Sequence, residues 1–270
     1  MLSFPNCKIN LGLYITGKRE DGFHDLETVF LPINLTDILE IIPSTSLKFT
    51  TSGFAINTDD NLCLKAYHLL KRDFPRLPPI KMHLHKAILM GAGLGGGSAD
   101  AAFTLQMLNE KFQLQVPSQK LSAYALLLGS DCPFFLINKP SFASGRGEIL
   151  EPVFIDLATY KILIVNPGIH INTGWAFSKI TPRQPLASIK KIVQQPVDTW
   201  KNDLQNDFEA PVFAEYPEIR KLKEALYASG ALYAAMSGSG SSVFGIYPRE
   251  HHIAYTPHSS YFCKTLPLAR

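Results

Sequence analysis

The chain has 270 residues, of which 46% are hydrophobic and 18% charged, and its formal net charge is +3. That is too apolar for a disordered chain and too weakly charged for the cationic field that drives nucleic-acid binding. The length suits one large or two medium domains.

Lys8, Lys18, Arg19 and Glu20 interrupt the first twenty residues, so no signal peptide is expected. No stretch approaches the ~20 apolar residues of a membrane span. The longest, Tyr124 to Ile137, is broken by Gly129, Ser130, Asp131 and Pro133. Cys7, Cys63, Cys132 and Cys263 lack the C-x-x-C spacing of a metal knuckle or redox pair. They read as reduced packing residues of a cytoplasmic protein, with disulfide bonding the weaker alternative.

Phe4 to Pro43 reads as strands. Cys7, Ile9, Leu11 and Leu13 alternate with Lys8, Asn10, Gly12 and Tyr14, which puts Lys8 and Asn10 on one face. Gly17 to Gly22 is a turn, and Leu26 to Ile33 and Asp37 to Ile42 are further strands. Asp60 or Asn61 caps a helix running to about Asp73. Ile80 to Ile88 is a strand, followed by glycine-rich residues and a helix from Ser98 to about Phe112. Leu121 to Leu128 is a helix, Phe142 to Val153 is turn-rich, and Tyr160 to Val165 is a strand. Tyr216 to Ser229 is helical, and Ala231 to Met236 and Ser242 to Tyr247 are strands. Pro248 to Arg270 shows no helical stripe, though Ser260 to Leu266 could close a sheet. Without a regular βαβ repeat the order favours an α+β protein of two domains, 1–155 and 156–270.

Five glycines fall between Gly91 and Gly97, where a strand gives way to a helix. Residues without side chains let a backbone approach a ligand closely, and the helix start offers free N–H groups and the positive dipole end. Three phosphate-binding readings compete. Gly91, Gly93 and Gly96 satisfy the dinucleotide pattern G-x-G-x-x-G, but its acidic partner about 20 residues on is missing. A Walker A loop fails because no Gly-Lys-Ser/Thr follows. The third is a G-L-G-G-G-S-A-x-A-A loop, Gly93 to Ala102, whose helix start covers a nucleoside triphosphate. A merely tight turn would need only one or two glycines. Ser98 is either an ordinary N-cap or a group near Mg²⁺ or phosphate.

Gly91 to Ala102 resembles the second motif of the GHMP kinases. Three further segments are similar to one family within them, the 4-diphosphocytidyl-2-C-methyl-D-erythritol kinases. They are Cys7 to Leu11 with Tyr14 to His24, Gly129 to Phe135, and the Gly/Ser loop Met236 to Phe244. The resemblance runs in the family's order from residue 5 to about 247. It implies the two-domain GHMP fold, an N-terminal domain with mixed sheet and helices and a C-terminal α/β sandwich, with the active-site cleft between them. It also implies ATP-dependent phosphorylation of the substrate's 2-hydroxyl in the non-mevalonate route to isoprenoids. A homoserine- or mevalonate-type GHMP kinase is the alternative, and a non-catalytic nucleotide-binding protein is a more distant one.

By the same resemblance Asp131 is the catalytic base and Lys8 its partner. The ATP loop comprises Leu89, Met90, Gly91, Ala92, Gly93, Leu94, Gly95, Gly96, Gly97, Ser98 and Ala99. Ser239 and Gly240 lie near the phosphates, and Lys86, Asn61 and Leu62 lie on the adenine side. His24 would hydrogen-bond the cytosine, Phe23 and Phe177 would stack on its two faces, and Asn10 and Thr173 would hold the substrate. Leu89 stands where the family usually has Pro, and Phe23 where it often has Tyr. Mg²⁺ is implied by the need to neutralise ATP phosphates. No side chain is assigned to it, Ser98 being the one candidate, and His251 and His252 read as solvated. The expected partner is a small molecule, the cytidine diphosphate-linked methylerythritol, with no nucleic acid and no membrane. The expected unit is a cytoplasmic monomer or homodimer.

Overall fold

A computed structural model describes residues 1–185 and 187–268. In chain order the elements are Leu2–Ser3 (β1), Asn6–Lys18 (β2), His24–Thr36 (β3), Ile38–Pro43 (β4), Lys48–Gly53 (β5), Leu62–Asp73 (α1), Ile80–Lys86 (β6), Gly96–Lys111 (α2), Ser118–Leu128 (α3) and Cys132–Ile137 (α4). There follow Ser141–Ser144 (β7), Ile149–Pro152 (β8), Tyr160–Asn166 (β9), Thr173–Ser178 (α5), Ile189–Ile192 (α6), Trp200–Asp203 (α7), Glu209–Glu215 (α8), Pro217–Ala228 (α9), Tyr233–Met236 (β10), Val243–Pro248 (β11) and Phe262–Pro267 (β12).

The chain forms two units. One comprises Met1–Lys8, Asn34–Met90 and Gly95–Lys139; the other comprises Ile9–Ile33, Gly91–Leu94 and Pro140–Arg270. The last two residues of the second range, 269 and 270, lie outside the described residues. In the first unit a sheet runs in the order β1-β4-β6-β5, antiparallel except for the parallel β5–β6 pair. Period-two alternation sends Leu39, Ile41, Ile80, Met82 and Leu84 to its buried face. There they join Ala66 and Leu70 of α1 and Ala101, Leu105 and Leu108 of α2. Asn61 caps α1, its Oδ1 accepting from the Cys63 N–H at 2.8 Å.

The second unit holds the antiparallel sheet β10-β11-β9-β12 and most of the sheet β2-β3-β7-β8, of which residues 6–8 of β2 and 34–36 of β3 fall in the first unit. Its core gathers Leu13 and Ile15 with Leu163, Val165, Phe208, Val212, Leu222, Leu226 and Met236. Among the described residues no helix is long and apolar enough to cross a membrane.

Several elements differ from the sequence expectation for physical reasons. Helix α2 begins at Gly96 rather than Ser98, because left-handed Gly95 turns the chain and its carbonyl accepts the Ala99 N–H at 3.0 Å. The turn-rich stretch from Phe142 contains the hairpin β7–β8, whose four-residue strands are too short to show alternation. Polar β5 (sequence KFTTSG) is held by its register against β6. Strand β12 pairs with β9 close to where a closing strand was expected.

Candidate active site

In the first unit, Lys8 lies near the start of β2. The alternation alone allows it a solvated face, but β2 is buried on both faces from Asn6 to Ile15, and Lys8 is 3% exposed. Its Nζ lies 3.3 Å from Asp131 Oδ2, and the Asp131 side chain is 34% exposed. Asp131 is the residue at which α4 starts, and Pro133 at the first helical positions fixes that start. The pair therefore joins an enclosed ammonium to a carboxylate that solvent or a substrate can reach.

The helix half of the glycine loop meets this pair. A Cβ on Gly95 (φ +70°) would lie 3.1 Å from both Lys8 Cε and Phe135 Cζ, and one on Gly96 would lie 2.8 Å from Ile88 Cγ2. Glycine at these positions lets the α2 start settle against Lys8 and the end of β6. No side chain caps α2, and its first turn carries no acidic residue, so the dipole end faces no competing anion of its own. Ser98 bonds the Cys132 thiol, which burial pushes up to about 12. Half-exposed Met90 lies over Gly97, with Leu62 beside it.

Lys86 is placed differently from a ligand. Its side chain is fully buried, and its ammonium contacts Asp37 and, at 2.7 Å, Asp100 Oδ2. Burial would lower its pKa, but the two carboxylates outweigh this and raise it. Burial pushes Asp100 up to about 7 against the pull of Lys86.

In the second unit, the other half of the loop meets the Gly/Ser segment. Ser237 Oγ donates to the Gly93 carbonyl at 2.7 Å, and the Ser242 N–H donates to the Ala92 carbonyl at 3.2 Å. A Cβ on Gly93 (φ +77°) would fall 2.0 Å from the Ser237 carbonyl oxygen, so only glycine fits. Asn206 Nδ2 donates to the carbonyls of Met236 and Gly238, each at 2.8 Å, and holds this segment from behind. The Asn10 N–H donates to Ser237 Oγ at 3.2 Å, while its Nδ2 donates to Thr28 Oγ1 at 3.0 Å. The Thr173 and Ser239 hydroxyls are 3.0 Å apart, and Gly240 is also left-handed (φ +93°).

The aromatic residues of this unit are already stacked. His24 lies on Phe177 with ring centroids 4.8 Å apart and planes 20° from parallel, and Phe208 meets Phe177 edge-on. Phe23 carries the Arg146 guanidinium 3.5 Å from its ring centroid. Phe23 and Phe177, expected to stack on the two faces of one base, are each covered by a side chain of the protein: Phe177 by His24 and Phe23 by Arg146.

Asn206, Arg146, Asp37 and Asp100 were missed by sequence reasoning. Only Asp100 carried a signal, as a charged residue beside the apolar stripe Ala101, Ala102 and Leu105. Among the described residues no group of three or more His, Cys, Asp or Glu side chains could hold a metal ion.

Comparison with known proteins sharpens this geometry. Residues 61–139 match the GHMP kinases N terminal domain, and residues 188–254 match the GHMP kinases C terminal domain. The 4-diphosphocytidyl-2-C-methyl-D-erythritol kinase of Bacteroides fragilis is 51% identical, with 97% of this chain and 98% of the relative covered. That of Cytophaga hutchinsonii is 48% identical, with 92% of each covered. A crystal structure of 4-(cytidine 5'-diphospho)-2C-methyl-D-erythritol kinase has a TM-score of 0.79 and 32% identity, covering 91% of this chain and 89% of that one. The Methanococcus jannaschii mevalonate kinase, 12% identical over 93% of this chain and 92% of its own with a TM-score of 0.68, shares the fold.

Proposed function

This chain belongs to the 4-diphosphocytidyl-2-C-methyl-D-erythritol kinases within the GHMP kinases, and from that premise we propose that Asp131 and Lys8 carry its phosphoryl transfer. The acceptor is the 2-hydroxyl of 4-diphosphocytidyl-2-C-methyl-D-erythritol and the donor is ATP. The observation that carries this reading is the Lys8–Asp131 contact, with its enclosed ammonium and reachable carboxylate. Phosphoryl transfer asks mainly for positioning and charge stabilisation, with an acidic group aimed at the attacking hydroxyl. Asp131 orients that hydroxyl and takes its proton at a carboxylate oxygen. Lys8, held within hydrogen-bonding reach of the same carboxylate, steadies the negative charge that develops beside it.

The loop from Leu89 to Ala99 binds the triphosphate through backbone N–H groups at the α2 start, with Ser239 and Gly240 contributing from the Gly/Ser segment. Leu62, Met90 and Asn61 lie on the adenine side. In the second unit His24, Phe23 and Phe177 read the cytosine, and Asn10 and Thr173 hold the rest of the substrate. An incoming base would separate His24 from Phe177 and exchange one stack for another, at little net cost.

At the α2 start the Ser98 hydroxyl is a hard oxygen donor, and Asp131 offers a reachable carboxylate. They suit Mg²⁺ that arrives on the nucleotide and keeps most of its phosphate and water ligands. When bound, the ion would neutralise phosphate charge during transfer.

The experiment is a panel of acceptors with ADP release as readout, run on the protein and on Asp131→Asn. The cytidine substrate is expected to support turnover and mevalonate and homoserine are not. Asp131→Asn is expected to bind ATP nearly normally and to turn over about 10³-fold more slowly. Turnover on mevalonate or homoserine alone would move the chain's activity elsewhere in the superfamily. Near-normal turnover by Asp131→Asn would remove Asp131 as the base.

A further inference from the structure

Resemblance places Lys86 on the adenine side of the nucleotide, yet its ammonium faces no solvent. It lies among groups that belong to both flanks of the glycine loop. On the strand side, Asp37 contacts the ammonium through Oδ2 and with Oδ1 accepts the N–H groups of Ala87 and Ile88 at 2.7 and 2.9 Å. These are the two residues that leave β6 for the loop. On the helix side, Asp100 Oδ2 accepts from the same ammonium at 2.7 Å, one turn into α2. The helix start lies directly against these strand-end side chains: a Cβ on Gly96 would lie 2.8 Å from Ile88 Cγ2 and 3.4 Å from Lys86 Nζ. A third segment joins them. The Phe54 N–H donates to the Lys86 carbonyl at 2.9 Å, and Gly53 (φ +78°) is so near that a Cβ there would fall 2.1 Å from that oxygen.

From these contacts we infer that Lys86, Asp37 and Asp100 form a buried strut that sets the spacing between the end of β6 and the start of α2. Through it Lys86 acts on nucleotide binding as a positioning residue without touching the nucleotide. Backbone N–H groups can bind phosphate only where the chain holds them, since a glycine-rich segment has no side chains to fix its own path. The strut supplies that constraint from beneath, at the two points where the loop meets regular structure.

The charge count identifies the arm that can be cut. Two carboxylates share one ammonium, and the second oxygen of Asp100, Oδ1, is buried with no hydrogen-bond partner. Asp37 uses both oxygens and anchors two backbone amides as well. Removing the Asp100 carboxylate leaves Lys86 and Asp37 as a balanced pair, so the fold should survive while the link to α2 is lost.

The inference rests on the reading that this loop binds ATP, and direct nucleotide binding separates the two. ADP and ATP binding are measured by calorimetry on the full chain, alongside KM and kcat for both substrates. Asp100→Ala is expected to weaken ATP binding about tenfold, with KM for the cytidine substrate and kcat within about twofold of the parent protein. Asp100→Asn keeps an acceptor for Lys86 and is expected to restore ATP binding to within about twofold. Parent-like ATP binding by Asp100→Ala overturns the strut, as does an equal loss for both substrates that Asn does not restore. If Asp100→Ala does not fold, Asp100→Glu decides. Its extra methylene should push the helix start away and weaken ATP binding selectively, and unchanged ATP binding overturns the inference. A parent protein that binds no nucleotide would instead refute the reading of the loop itself.

Discussion

Two lysine–aspartate clusters lie in the first unit, and the same functional groups face opposite surroundings in each. At Lys8 the ammonium lies against the Asp131 carboxylate, and a third of the Asp131 side chain stays exposed. At Lys86 one ammonium meets two carboxylates, and all three side chains are buried. Exposure separates their uses. A reachable carboxylate can take a proton from a hydroxyl, whereas an enclosed triad can only hold backbone in place.

Exchanging the charges should break this contrast most visibly. Asp131→Asn is expected to cost turnover and little stability, and Lys86→Met the reverse. Leaving Asp37 and Asp100 buried without their counter-ion should cost about 3–5 kcal/mol, read as a shift of the urea midpoint. A Lys86→Met protein with unchanged midpoint but lost ATP affinity would make Lys86 a ligand after all.

Gly95→Ala probes the ground between the clusters. Its left-handed backbone and the 3.1 Å approach to Lys8 Cε and Phe135 predict a stability loss of about 1–2 kcal/mol. The displaced ammonium should also lower kcat by roughly tenfold. Turnover that follows stability alone would show that Lys8 tolerates the shift.

The smallest effect concerns pH. Asp100 is raised to about 7 when folded, against about 3.9 in an unfolded chain. Between those values the folded protein keeps a proton that the unfolded chain has released. This contribution is therefore complete below pH 4 and is lost as pH rises toward 7. Asp100→Asn cannot titrate there, so its stability relative to the parent should rise from pH 4 to pH 7 and then level off. A constant difference would mean that Asp100 stays ionised in the fold.

The comparison also explains what was legible in the sequence. The glycine loop announced itself because its chemistry is carried by backbone, and a backbone site needs a run of one residue type. Lys8 and Asp131 became visible only through resemblance, since a lone lysine on a strand and an aspartate in a turn have commoner explanations. Asp37 and Asp100 lie 63 residues apart and meet only after β4, β6 and α2 have packed. No local pattern encodes that. Asn206 is similar: its two bonds to the Gly/Ser segment depend on how α8 and β10 are joined, not on its neighbours. Of the long helices, α1 came through its Asn61 cap and helical spacing, and α2 through its apolar stripe. Elements of four to six residues, such as α4, β7 and β8, are shorter than the repeat that would reveal them.

The four thiols follow the division of the chain. Cys7, Cys63 and Cys132 are buried and belong to the first unit, whereas half-buried Cys263 lies in β12 of the second. Burial pushes Cys7 and Cys132 up to about 12 and raises Cys63 as well. A thiol reacts as its thiolate, so each is silent toward alkylating reagents until its surroundings open. The protein thus carries built-in reporters of breathing: three clocks on strand β2, helix α1 and helix α4 of one unit, and a faster one on the last strand of the other.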